Sequence, residues 1–233
     1  MPPLRRKADP PPPIDPAEWR PQAFGKKGIR SINDPIIEPS WGGVRVIVRV
    51  GRGPDGSPAV TLTDEDGLDS TAEFAEVAQA IAAAALTDEL ILDGYLTVEP
   101  TQDTRGLGMR AMEPPAKGPF LTHMLLGGRI RVPEPERQLD PERPIAFVAV
   151  DLLLIDGYSL INLPLLERKR LLDTALKAGT LVRITPFVRP PVGSLAFTWR
   201  AQGFRELAYK PANGRYRPAG GQSDWVVVPI RSR

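Results

Sequence analysis

The sequence has no cysteine and a single histidine, His123, among 233 residues. Without thiols there is no disulfide framework and no thiolate metal site. One imidazole with no paired ligand makes no zinc site either. Lysine is sparse, occurring only at Lys7, Lys26, Lys27, Lys117, Lys169, Lys177 and Lys210. No run reaches the roughly 18 apolar residues that a membrane-spanning helix needs. The opening stretch "MPPLRRKADPPPPIDPAEW" carries charge and proline but no apolar centre, so it does not read as a secretory signal. These absences lead us to expect a cytoplasmic chain with no membrane association.

What is present is ordinary for a soluble globular protein: 42% hydrophobic and 25% charged residues. The net charge is +2, with Arg5, Arg6 and Lys7 early and Arg215, Arg217, Arg231 and Arg233 late. That balance allows a weak phosphate-binding face without demanding one; solvated termini are the simpler reading. Residues 1–22 hold the Pro10 to Pro13 run and are expected to form a disordered, proline-rich tail. Residues 23–233 are expected to form a single domain.

Alternation in "VRVIVRV" and again in "AVTLTDEDG", separated by "GPDGS", predicts a β-hairpin. "STAEFAEVAQAIAAAAL" has helical spacing, with Ser70 or Thr71 as the expected cap. "ELILDGYLTVEP" and "IAFVAVDLLLIDG" read as buried strands. "LPLLERKRLLDTALKAG" reads as an amphipathic helix with Pro164 in its first turn and Gly179 beyond its end. "LVRITPFV" predicts a strand, "SLAFTWRAQG" a helix, and "FRELAYK" and "DWVVVPI" two closing strands. A short helix is expected near residues 120–126. Strands in hairpins with interspersed helices argue for an α+β fold. In "IIEPSWGGVRVIVRV" a strand pattern is interrupted by Pro39, Ser40, Gly42 and Gly43, and glycine inside a strand marks a bulge or a close approach.

Five segments in order resemble the adenylation (nucleotidyltransferase) domain of ATP-dependent DNA ligases of the bacterial end-joining type. They are "EPSWGGVR", "LILDGYLTV", "VAVDLLLIDGYSLINLPLLERKRLL", "GFRELAYK" and "YRPAGGQSDWVVVP". The resemblance implies antiparallel-rich sheets flanked by helices. In the family, a lysine in the first segment attacks the α-phosphate of ATP and passes AMP to a DNA 5′-phosphate. The matching residue is Ser40, and the family's aspartate two positions on is Gly42. By the same resemblance Glu65 replaces an arginine, Tyr95 a glutamate, Val150 an adenine-stacking aromatic, and Arg205 a metal-binding glutamate. Val227 and Pro229 replace two lysines. Gly43, Arg45 and Lys210 match the family and are the expected remnants of its nucleotide pocket. A family ligase continues into an oligonucleotide-binding barrel, for which no sequence is expected here.

A serine becomes a nucleophile only beside a base, so Ser40 reads as a solvated strand-end residue before it reads as a substitute nucleophile. Arg45 either points into the old pocket or makes a surface ion pair. Trp41 and Trp225 read as core anchors. Asp93, Asp151 and Asp156 read as turn formers, residues 167–170 ("ERKR") as the solvated face of a helix, and Lys169 and Lys177 as exterior. The expectation is a catalytically inactive member, with no metal and no cofactor, acting as a DNA-repair-related binding or partner module. Weak non-specific duplex DNA and a repair protein are its expected partners. The alternative is an active ligase forming an enzyme–AMP intermediate with ATP and Mg²⁺.

Overall fold

Strand β1 (Pro35–Pro39) and strand β2 (Val44–Arg52) are separated by residues 40–43 alone, yet they belong to different sheets. The computed structural model describes residues 14–25, 28–29, 32–98, 144–218 and 223–230. The expected helix near residues 120–126, His123 and Lys117 lie outside them. The larger sheet pairs β2 antiparallel with β3 (Pro58–Asp64) and β4 (Leu90–Thr97), and β4 with β5 (Ala146–Ile155). The two-residue β6 (Tyr158–Ser159) joins β5 antiparallel, and β7 (Val182–Ile184) joins it parallel. The smaller sheet runs β1–β8–β9, with β8 at Glu206–Pro211 and β9 at Val226–Pro229. Three helices accompany them: α1 (Ala75–Ala84), α2 (Leu165–Ala175) and α3 (Gly193–Ala201). Among the described residues no helix is long and apolar enough to cross a membrane.

Side chains alternate across a strand, so each strand of the large sheet feeds two faces. Val46, Val48, Leu62, Leu92 and Phe147 pack with Ile81 of α1 and Leu172 of α2 into the main core. Each such side chain stabilises the fold by about 1.5–3 kcal/mol. The β4–β5 register shifts between Asp93 and Gly94. There a Cβ on Gly94 would overlap the Phe147 ring, so only glycine lets the strands approach. Gly56 (φ +79°) supplies the predicted hairpin turn between β2 and β3.

Two local expectations are corrected. Helix α1 opens at Ala75, behind Phe74, and not at a Ser70 or Thr71 cap. The Thr71 hydroxyl instead accepts from the Leu62 N–H (2.8 Å) and donates to Asp69 (2.5 Å), tying the approach to β3. The stretch up to residue 22 is no tail from residue 14 onward: a 3₁₀ turn spans Pro16–Glu18, and Trp19 and Gln22 are buried. The apolar area of Trp19 outweighs the local proline signal.

Candidate functional site

Residues 40–43 carry the chain from one sheet to the other, and Gly43 makes the crossing with φ +110°. Only glycine adopts this readily. The Ser40 N–H donates to the Glu206 carbonyl (3.0 Å), which extends the small sheet by one bond. Its side chain is half-buried. Trp41 is buried, donates from Nε1 to the Thr185 hydroxyl (2.8 Å), and stands edge-on to Phe204. It is the core anchor expected, as is Trp225.

Beyond the crossing the two sheets enclose a cleft. Arg45, Asp93 and Tyr95 face it from the large sheet, and Glu38 and Lys210 from the small one. Trp225 sits between them, with Arg45 Cζ 5.4 Å and Lys210 Nζ 4.1 Å from its ring centre. Arg45 does not reach the surface. Its Nε and Nη2 donate to both oxygens of Asp93 (3.0 and 2.6 Å), and its Nη1 donates to the Gln22 carbonyl (2.5 Å). The Tyr216 hydroxyl completes Asp93 at 2.8 Å. Burial works against the Arg45 cation, but Asp93 outweighs it and holds the guanidinium pKa above its ordinary value. Tyr95, opposite Arg45 in the β2–β4 register, has its phenol pushed up to about 12 by burial.

A second group closes one end of the cleft. Glu38 lies between Lys169 (2.5 Å) and Lys210 (2.6 Å), all three almost fully buried. Arg168 grips Asp151 through Nε and Nη2 (2.8 and 2.7 Å), both side chains at 0% exposure. Burial lowers the Lys210 pKa, Glu38 opposes that shift, and neighbouring Lys169 adds to it. Four cations (Arg45, Arg168, Lys169, Lys210) thus meet three carboxylates (Glu38, Asp93, Asp151).

This overturns three expectations. "ERKR" is not a solvated face, because Arg168 and Lys169 are buried while Glu167 and Arg170 pair at the surface (2.7 Å). Lys169 is not exterior. Asp93 and Asp151 are buried ion-pair partners and not turn formers; only Asp156, at φ +45°, makes a turn. The signal was available: Leu165, Arg168, Lys169 and Leu172 stand at i, i+3, i+4 and i+7, the buried stripe of a helix. Composition hid it, because the stripe is half charged. Gln22 and Tyr216 carried no such pattern.

The remaining positions scatter. Val150 is buried against Trp41 and Trp199. Glu65 is exposed in the turn after β3, and Arg205 is exposed ahead of β8. Val227 is half-buried and Pro229 exposed on β9. ATP and Mg²⁺, the groups the resemblance implies, do not fit these residues. Arg45 and Lys210 are committed to carboxylates, and Tyr95 and Arg205 offer no carboxylate. No group of three or more His, Asp or Glu among the described residues could hold a metal.

Over 191 residues, or 82% of its length, the chain is 28% identical to the multifunctional non-homologous end joining protein LigD of Mycobacterium bovis. The Mycobacterium tuberculosis LigD, a non-homologous end joining DNA repair protein, matches equally. The chain is a homologue of the LigD ligase domain. The match spans 21% of those relatives' length. The solved ligase domain of M. tuberculosis LigD superposes with a TM-score of 0.63 at 21% identity, over 93% of this chain and 61% of that one. A mycobacterial DNA ligase D solved with ATP and MES gives 0.63 at 22%, over 93% and 62%. The fold is therefore the nucleotidyltransferase fold, as the motifs implied. No protein-family model matches the chain.

Proposed function

We propose that the chain is a LigD-like adenylation module that no longer forms an enzyme–AMP intermediate and serves DNA repair as a binding or partner module. The observation that carries this reading is the self-pairing of the cleft. Arg45 is spent on Asp93 and Gln22, and Lys210 on Glu38, while Ser40 stands where the relatives' motif has lysine. A nucleophile, a metal site and phosphate-binding cations act as a unit, so restoring one member restores no activity.

Intact-mass measurement after incubation with ATP and Mg²⁺ tests it. Neither the natural chain nor Ser40→Lys gains the mass of an adenylate. The alternative, an active nucleotidyltransferase, needs a lysine other than residue 40, and Lys169 and Lys210 converge on Glu38 nearby. An adenylate mapped to either by peptide sequencing would overturn the reading.

The binding partner we propose is duplex DNA, held weakly and without sequence preference by basic surface such as the exposed Arg215 and Arg217. Affinity of this kind scales with the phosphates engaged and falls with salt. Fluorescence polarisation with a nicked duplex should show binding at low ionic strength that fades toward physiological salt. Salt-insensitive binding contradicts the electrostatic account, and no binding at low salt leaves a protein partner.

A further inference from the structure

We propose that residues 19–25 are a releasable strap which closes the polar end of the cleft from within the chain, so that the cleft admits a ligand only when the strap lifts. The proposal does not depend on whether the cleft can adenylate.

Gln22 is its centre. All four of its polar groups are used, and on both sides of the gap. Its carbonyl accepts from Arg45 Nη1 of the large sheet (2.5 Å), and its N–H donates to the Tyr216 hydroxyl (2.9 Å), which in turn donates to Asp93. Its side-chain Oε1 accepts from the Arg217 N–H (2.7 Å), and its Nε2 donates to the Ser223 hydroxyl (3.0 Å). One residue thus fills a site with donors and acceptors on two walls, as a polar ligand would. Flanking contacts hold it in place. The Arg20 N–H donates to the Pro218 carbonyl (2.6 Å), and the Gly25 N–H to the Trp225 carbonyl (2.7 Å). Gly25 sits so close to Ser223 that a Cβ would overlap the Ser223 carbonyl, which fits the strap to that strand end. The Arg20 guanidinium lies against Gly67, in the turn that carries Glu65.

The strap is also built to leave. Residues 19–25 contribute no strand pairing to either sheet. They are held by hydrogen bonds between non-repeating partners and by two aromatic side chains, Trp19 and Phe24, in a small cluster with Ile47 and Trp225. Segments fastened this way open below the global unfolding free energy, while central strands open only with it. Releasing the strap uncovers Arg45 Nη1, Tyr216 and the Arg217 N–H together. A ligand taking its place must offer both an acceptor and a donor.

Hydrogen exchange on the full chain decides this. The Arg20, Gln22 and Gly25 amides should be protected, yet exchange by an opening at least tenfold more frequent than that of β4 and β5. Gln22→Ala should speed those three about tenfold further and leave β4 and β5 unchanged. Exchange of the three only with global unfolding would make the segment ordinary core, and no protection would mean it is not seated; either result overturns the proposal. Should Gln22→Ala fail to fold, the rates in the natural chain still decide. A spin-label pair at Ile14→Cys and Tyr158→Cys, both exposed sites in a chain without cysteine, gives an independent reading. One narrow distance is expected at rest, and a broad distribution would overturn seating. Neither measurement reads adenylation, so the two proposals fail separately.

Discussion

On its helix-covered side the large sheet presents Val46, Val48, Leu92 and Phe147; on its cleft side the same strands present Arg45, Asp93, Tyr95 and Asp151. Both sides are buried. The helix side is stabilised by apolar contact alone, so each residue contributes separately and volume-conserving exchanges are tolerated. The cleft side holds charges that stay buried only because each has its partner. A region of the first kind degrades gradually under substitution, whereas one of the second kind fails when a single member is removed. The relatives' reactive positions have changed here, yet the charged scaffold around them is complete. The scaffold is tied to the fold, and the reactive groups were not.

The sharpest way to break this comparison is Arg168→Ala, which strands Asp151 as an unpaired charge. We expect a loss of about 3–5 kcal/mol, against about 0.5–1.5 kcal/mol for Ile81→Val on the helix side. The double change Arg168→Met with Asp151→Leu should recover most of the difference. Urea denaturation midpoints check all three, and equal losses for Arg168→Ala and Ile81→Val would abolish the distinction.

A smaller effect comes from alkali, and it too falls on the cleft. Tyr95 keeps its proton to about pH 12 in the fold, against 10.0 for an ordinary tyrosine, and burial raises Tyr216 in the same direction. A raised tyrosine pKa contributes stability that is whole below pH 10 and lost as pH rises through the folded value. Lys210 has the opposite sign: its lowered pKa makes its burial costly at neutral pH, and that cost is relieved as pH rises toward 10.5. Stability should therefore hold to about pH 10 and fall between about 10 and 12. Tyr95→Phe should flatten part of that fall, as thermal melts across the range would show. An unchanged profile in the variant would mean that Tyr95 is not the titrating group.

Much of the fold was legible from pattern. The "GPDGS" hairpin, the "LILDGYLTV" and "IAFVAVDLLLI" strands and the two C-terminal helices stand where periodicity and turn residues placed them. The motif order led to the nucleotidyltransferase fold before any coordinates. The site was less legible. Ser40 at the lysine position was plain, but the destination of Arg168 and Lys169 was not, since charge in a helix usually means solvent. The start of the ordered chain was misplaced for a related reason: proline density near residue 13 masked the burial of Trp19, which depends on a cluster with Trp225 and Ile47 far along the sequence.

The sequence by itself determined which segments are strands and helices, because alternation, helical spacing and turn glycines are local properties. It also determined that residue 40 is a serine in a lysine's place. Only the tertiary structure decided that residues 40–43 cross between two sheets, that Glu38 lies between Lys169 and Lys210, and that Gln22 closes the cleft. Each of these joins residues distant in the chain. A buried charge is tolerated only by the partner that the fold brings to it, and no local pattern names that partner.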